Sequence, residues 1–126
     1  MRALVVDDSR TMRRIVAGTL QGFGFETSEA GDGAAALALL EDGLEVDLAC
    51  IDWNMPVMDG LELVTRVRAT KQWRAMTLMM VTTESEQEKI VRALAAGAHE
   101  YLIKPFSPDA LRAKLDLLGL LPAGVA

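Results

Sequence analysis

Short apolar runs alternate along this chain with longer stretches whose apolar positions recur at helical spacing, a pattern that predicts βα units around a parallel sheet. Residues 3–6 (Ala3, Leu4, Val5, Val6) form the first run. Across 10–21 the positions Met12, Ile15, Val16 and Leu20 share one helical face, and Gly22 and Gly24 end the pattern. Residues 23–28 read as a weaker strand, 33–41 as an alanine-rich helix carrying Leu37 and Leu40, and 47–51 as a third strand. A helix over 60–69 follows, with Leu61, Val64 and Val67 on one face, then an unbroken apolar strand over 77–81 and a helix over 84–96 that stops at Gly97. A strand over 101–103 and a helix over 108–118 complete five βα units, with Pro108 in the last helix's first turn, where a missing N–H costs little. The tail 121–126 has Pro and Gly but no period, and no repeat, low-complexity stretch or linker divides the chain.

Strands this apolar are covered on both faces, so the pattern predicts a doubly wound α/β sheet with its site at the carboxyl ends of the strands. Polar residues gather there. Asp7 and Asp8 close the first strand, Asp52 the third, Thr82 the fourth and Lys104 the fifth. Each alone reads as a cap, turn or solvated residue; together they point one cluster into one crevice. Three crowded carboxylates repel one another, and a hard divalent cation is the economical relief. Oxygen ligands without His or Cys nearby favour Mg²⁺ over zinc or copper. A dication plus the Lys104 ammonium balances the three carboxylates; without the dication the crevice is anionic and repels phosphate. Lys104 and Thr82 add the cation and hydroxyl that a phosphoryl group needs, and a carboxylate can attack phosphorus to form an aspartyl phosphate.

Composition narrows the partners. At 126 residues and 51% hydrophobic the chain is the size of one globular domain, expected over 1–126. A net charge of -5 disfavours nucleic acid. The first apolar run is too short for a signal peptide or a membrane span, which points to the cytoplasm and to no membrane partner. The single cysteine, Cys50, lies in the run Leu48-Ala49-Cys50-Ile51 and reads as a small core residue, which excludes an internal disulfide.

Four motifs in order carry a resemblance: Val5-Val6-Asp7-Asp8 with Thr11-Met12-Arg13-Arg14-Ile15-Val16; Asp52-Trp53-Asn54-Met55-Pro56 with Met58-Asp59-Gly60-Leu61-Glu62-Leu63; Met80-Val81-Thr82; and Tyr101 with Lys104-Pro105-Phe106. In these the chain resembles the receiver domains of two-component response regulators, and among them the CheY-like chemotaxis regulators. The resemblance implies a flavodoxin-like (βα)5 fold with strand order 2-1-3-4-5. It implies that Asp52 is the phosphoacceptor and that Asp8 binds Mg²⁺ directly, Asp7 through water, and Asn54 through its backbone carbonyl. Lys104 would pair with Asp52 and then with a phosphoryl oxygen, ahead of a cis proline bond. Thr82 would be the switch hydroxyl and Tyr101 the aromatic that follows it, turning from an exposed to a buried rotamer, with Ile90 and Lys114 flanking the output face.

The implied protein is a monomeric cytoplasmic switch rather than an enzyme, catalysing only its own phosphorylation and autodephosphorylation. A CheA-like histidine kinase would be the donor, a flagellar motor switch protein or other output protein the target, and a phosphatase a further partner. No appended output domain is expected, so the receiver surface itself must dock. A phosphate sink or relay receiver fits the same residues. A small aspartyl-phosphate phosphohydrolase fits less well, because its acids stand as Asp-x-Asp where this pair is adjacent, and a flavodoxin would need a hydroxyl-rich phosphate loop where Asp7 and Asp8 stand. Two positions depart from the family pattern: Thr83 follows the switch threonine where Ala or Gly is usual, and Ser9 follows the acidic pair where an aromatic is found. His99, the only histidine, sits at a strand entry and cannot supply a metal cluster; Met79 and Met80 read as core. Trp53 beside the acceptor fits a half-buried aromatic as well as a functional one, and Glu84 is the acid of its run close enough in sequence to Thr82 to influence the site.

Overall fold

The computed structural model describes residues 1–121, and the tail beyond Leu121 lies outside the described residues. Five strands, β1 (Arg2–Val6), β2 (Glu26–Ala30), β3 (Leu48–Ile51), β4 (Thr77–Thr82) and β5 (Glu100–Ile103), form one parallel sheet in the order β2-β1-β3-β4-β5. The helices are α1 (Arg10–Gly22), α2 (Gly33–Glu41), α3 (Gly60–Ala69), α4 (Gln87–Ala96) and α5 (Pro108–Leu117), with a short 3₁₀ turn at Lys71–Trp73. This is the flavodoxin-like arrangement the resemblance implied.

Alternate residues of β1, β3, β4 and β5 feed two cores, as a sheet covered on both faces requires. Leu4, Val6, Ala49, Ile51, Leu78 and Met80 pack with α2, α3 and α4, whereas Ala3, Val5, Leu48, Cys50, Met79 and Val81 pack with α1 and α5. Met79 and Met80 are therefore core, one on each face. Cys50 is buried, and desolvation pushes its thiol up to about 12. No described helix is long and apolar enough to cross a membrane.

Two elements sit differently from the sequence pattern. The second strand runs Glu26–Ala30, not 23–28, because Phe23 caps α1, Gly24 turns at φ 95°, and Phe25 donates its N–H back to the Leu20 carbonyl. Helix α4 begins at Gln87, not residue 84, because Glu84 is held in the preceding loop by side-chain and backbone bonds to other elements. The 3₁₀ turn carries no apolar period and was not predicted.

The chain leaves β1 for β2 on one side and returns to β3 on the other, which makes the carboxyl ends of β1 and β3 the topological switch point of the sheet. Gly60 is required there. A Cβ on it would stand 2.2 Å from the Asp52 carbonyl oxygen, so only glycine lets α3 start against the end of β3.

Candidate functional site

Asp7 and Asp52 each follow the last residue of adjacent strands, β1 and β3. With Asp8 they place carboxylate oxygens within 4.8 Å of one another, Asp7 buried, Asp52 half-buried and Asp8 exposed. The three acids predicted to share one crevice are thus brought together by the switch point itself. Each acid is held differently. Asp7 Oδ1 accepts the Ser9 N–H at 2.9 Å, and Asp52 Oδ1 accepts the Trp53 N–H at 2.8 Å. No hydrogen bond fixes the Asp8 side chain among the described residues, which leaves it open to solvent.

Lys104 reaches the cluster from the end of β5, where the Lys104–Pro105 peptide is cis. Its ammonium stands 2.5 Å from Asp7 Oδ2 and 3.4 Å from Asp52 Oδ2, so the tighter partner is Asp7 and not Asp52. Burial explains the preference: the Asp7 side chain is 4% exposed against 13% for Asp52, and the less hydrated carboxylate depends more on a counter-charge. The donor set is all oxygen, clustered and partly open, and the cation beside it offsets only part of the negative charge. Those properties suit a hard divalent ion that keeps some of its water.

Thr82 is fully buried at the end of β4, and its Oγ1 accepts the Glu84 N–H at 3.3 Å. Tyr101 is also buried, and its hydroxyl donates to the Glu84 carbonyl at 2.6 Å. The expected exposed resting ring is not what the structure has: the ring stands inward, because that carbonyl gives its hydroxyl a partner away from water. Desolvation, with the Glu84 and Asp52 charges behind it, raises the Tyr101 pKa. Glu84 links this region to the acid cluster, since its carboxylate accepts from the Asn54 side-chain amide at 2.6 Å and pairs with Lys89 at 3.1 Å. Those two donors, Asn54 first, hold its carboxyl below the usual range. Lys89 also stands 5.6 Å over the ring of Trp53, which is itself buried.

The remaining candidates lie further out. Thr83 is exposed. Ser9 caps α1, its Oγ accepting the Met12 N–H, so the departure from an aromatic serves the helix start. Ile90 packs on the core beneath α4, and Lys114 pairs with Glu100 across α5 and β5 at 2.9 Å. Sequence reasoning assigns a role at the site to neither Lys89 nor Arg13, the latter present only as part of a motif; both are helix cations whose contacts come from other elements.

Three comparisons bear on the fold and the site together. The family model described as "Response regulator receiver domain" matches residues 3–116. The chain is 48% identical over 121 residues to a chemotaxis protein CheY homolog of Campylobacter jejuni, covering 94% of this chain and 93% of that protein. It superposes on the chemotaxis protein CheY4 of Vibrio cholerae with a TM-score of 0.85 at 40% identity, over 92% of this chain and 96% of that one. It is similar as well to the response regulator TrrA of Thermotoga maritima in complex with Mg²⁺ and BeF, with a TM-score of 0.81 at 32% identity, over 93% and 97% of the two chains.

Proposed function

The chain belongs to the response regulator receiver family and is a chemotaxis response regulator of a two-component system, and we propose that Asp52 is its phosphoacceptor, working in a Mg²⁺-dependent reaction with a histidine kinase. The observation that carries this reading is the convergence of Asp7, Asp8 and Asp52 with Lys104 at the switch point. Asp8 and Asp52 would hold the ion directly, Asp7 through water, and Asn54 through its backbone carbonyl. When bound, the ion offsets the carboxylates and stabilises charge on the transferring phosphoryl oxygens. An Asp52 carboxylate oxygen forms the new bond to phosphorus as the donor's P–N bond breaks and the imidazole leaves with the electron pair. Lys104, already 3.4 Å from Asp52, has only to shift within its pocket to meet a phosphoryl oxygen.

The chain acts as a switch and carries out only its own phosphorylation and autodephosphorylation. A phosphoryl oxygen would draw the Thr82 hydroxyl and so disturb the Glu84 backbone, whose carbonyl the Tyr101 hydroxyl holds. The surface of α4, β5 and α5, with Ile90 and Lys114, would then change affinity for its partner. A CheA-like kinase as donor, a flagellar motor switch protein as target, a phosphatase acting on the acyl phosphate, and a monomer in the cytoplasm complete the reading. Thr83, exposed beside Thr82, would narrow the approach to the acyl phosphate.

The test is partner affinity with and without beryllofluoride for wild type, Thr82→Ala and Tyr101→Ala. The expected result is a gain in wild type that both variants reduce. Full gain in both would exclude this route, and no gain for the motor protein with wild type would favour a phosphate sink or relay receiver.

A further inference from the structure

Arg13 projects from the first turn and a half of α1, with less than a fifth of its side chain exposed, and makes two contacts away from its own helix. Its Nη1 donates to the backbone carbonyl of Asp7 at 2.7 Å, and its Nε donates to Glu29 Oε1 on β2 at 3.0 Å. Every polar atom of Asp7 is thereby engaged: N–H to the Ala30 carbonyl, carbonyl by Arg13, Oδ1 by the Ser9 N–H and Oδ2 by Lys104. The Asp7 carbonyl belongs to the peptide that joins Asp7 to Asp8. Because the Asp8 side chain has no hydrogen bond or ion pair among the described residues, the plane of that peptide is what is left to set where its carboxylate points.

We infer that Arg13, braced by Glu29, is a positioning residue for the divalent cation, acting through the Asp7–Asp8 peptide and not by touching the ion. The inference rests on the Mg²⁺ reading above. Two effects of Arg13 oppose each other, which makes the claim sharp. As a cation beside three carboxylates Arg13 should weaken binding of a dication, and its removal by charge alone would tighten it. As a strut it strengthens binding, and its removal loosens the Asp8 ligand. Indirect supports of metal ligands typically carry about ten- to a hundred-fold in affinity, well beyond what a salt-screened charge half paired to Glu29 should contribute. The strut therefore wins.

The experiment is a Mg²⁺ titration of the full chain followed by tryptophan fluorescence, since Trp53 adjoins Asp52, with wild type, Asp8→Asn, Arg13→Ala, Arg13→Lys and Glu29→Gln. Arg13→Ala is expected to raise the Kd about tenfold. Arg13→Lys, which keeps the charge but loses the two-pronged donor geometry, should raise it by several-fold. Glu29→Gln, which leaves the site's own residues and Arg13 intact, should raise it less; losing that carboxylate's charge works in the same direction, so Arg13→Lys, which keeps the charge, decides the question if Arg13→Ala does not fold. Where wild type binds and Asp8→Asn does not, an unchanged or lower Kd in Arg13→Lys overturns the strut alone. If wild type shows no saturable response, or Asp8→Asn binds as well, the metal reading fails and the strut with it.

Discussion

Lys104 Nζ lies 2.5 Å from Asp7 Oδ2 in a contact where less than a tenth of either side chain meets solvent. A buried pair of this kind adds little over an apolar pair of equal volume, but breaking it strands the surviving charge. Lys104→Ala should lower the unfolding free energy by roughly 3 kcal/mol in urea without Mg²⁺, with part of the loss restored when Mg²⁺ is added. An unaltered midpoint would mean that Asp7 is far better hydrated than its burial implies.

Asp52→Asn should abolish labelling from a phosphorylated kinase while the fold persists. Its thermal midpoint should equal or exceed that of wild type, because one of three carboxylates within 4.8 Å becomes neutral while the amide oxygen can still accept the Trp53 N–H. Undiminished labelling would remove Asp52 from its role.

Tyr101→Phe deletes one hydroxyl and leaves the buried ring in place. The lost bond to the Glu84 carbonyl should cost about 1 kcal/mol, read as a shift of the urea midpoint with unchanged slope. The same variant should release Glu84 enough to change Asn54, whose amide resonance in NMR would report it.

His99 should make the protein less stable in mild acid. Its Nδ1 accepts the Leu78 N–H at 3.1 Å and faces Arg68 Nη2 at 3.0 Å, so the ring is neutral with its proton on Nε2. Desolvation, and then the Arg68 charge, lower its pKa below the ordinary 6.5. The unfolded chain therefore takes up a proton first, and stability falls as pH drops below 6.5 toward the folded value, while above that window His99 contributes no slope. Urea unfolding of wild type and His99→Asn at pH 7.5 and 5.5 checks this. Asparagine can keep an acceptor near the Nδ1 position without titrating, so a slope equal to wild type would clear His99 of the effect.

Much of the fold was legible because burial on both faces leaves a plain apolar trace. The strands β1, β3 and β4 sit within a residue of their predicted bounds, and α2 and α3 match at both ends. β2 was misplaced by its polar composition: an edge strand with only Ala30 buried has no apolar run to announce it, and Phe23 and Phe25 drew the prediction toward the α1 cap. The early start predicted for α4 failed for another reason, since nothing local in Glu84 records that its carbonyl and carboxylate are taken by Tyr101 and Asn54.

The sequence by itself determined that five βα units would form, that acids would close the first and third strands, and that Thr82 and Lys104 would end the fourth and fifth. Strand alternation and the doubly wound rule act within a few residues or on whole layers, and both survive without coordinates. Only the tertiary structure decided the pairings: Lys104 with Asp7 more closely than with Asp52, Tyr101 turned inward on Glu84, His99 kept as an acceptor between Leu78 and Arg68, and Arg13 locked to the Asp7 carbonyl. A hydrogen bond weakens steeply once its donor moves a few tenths of an ångström or its angle closes, and these partners come from loops whose relative positions depend on the packing of the whole sheet. Residue type and spacing set which groups arrive at the carboxyl ends; the packed distances set which of them meet.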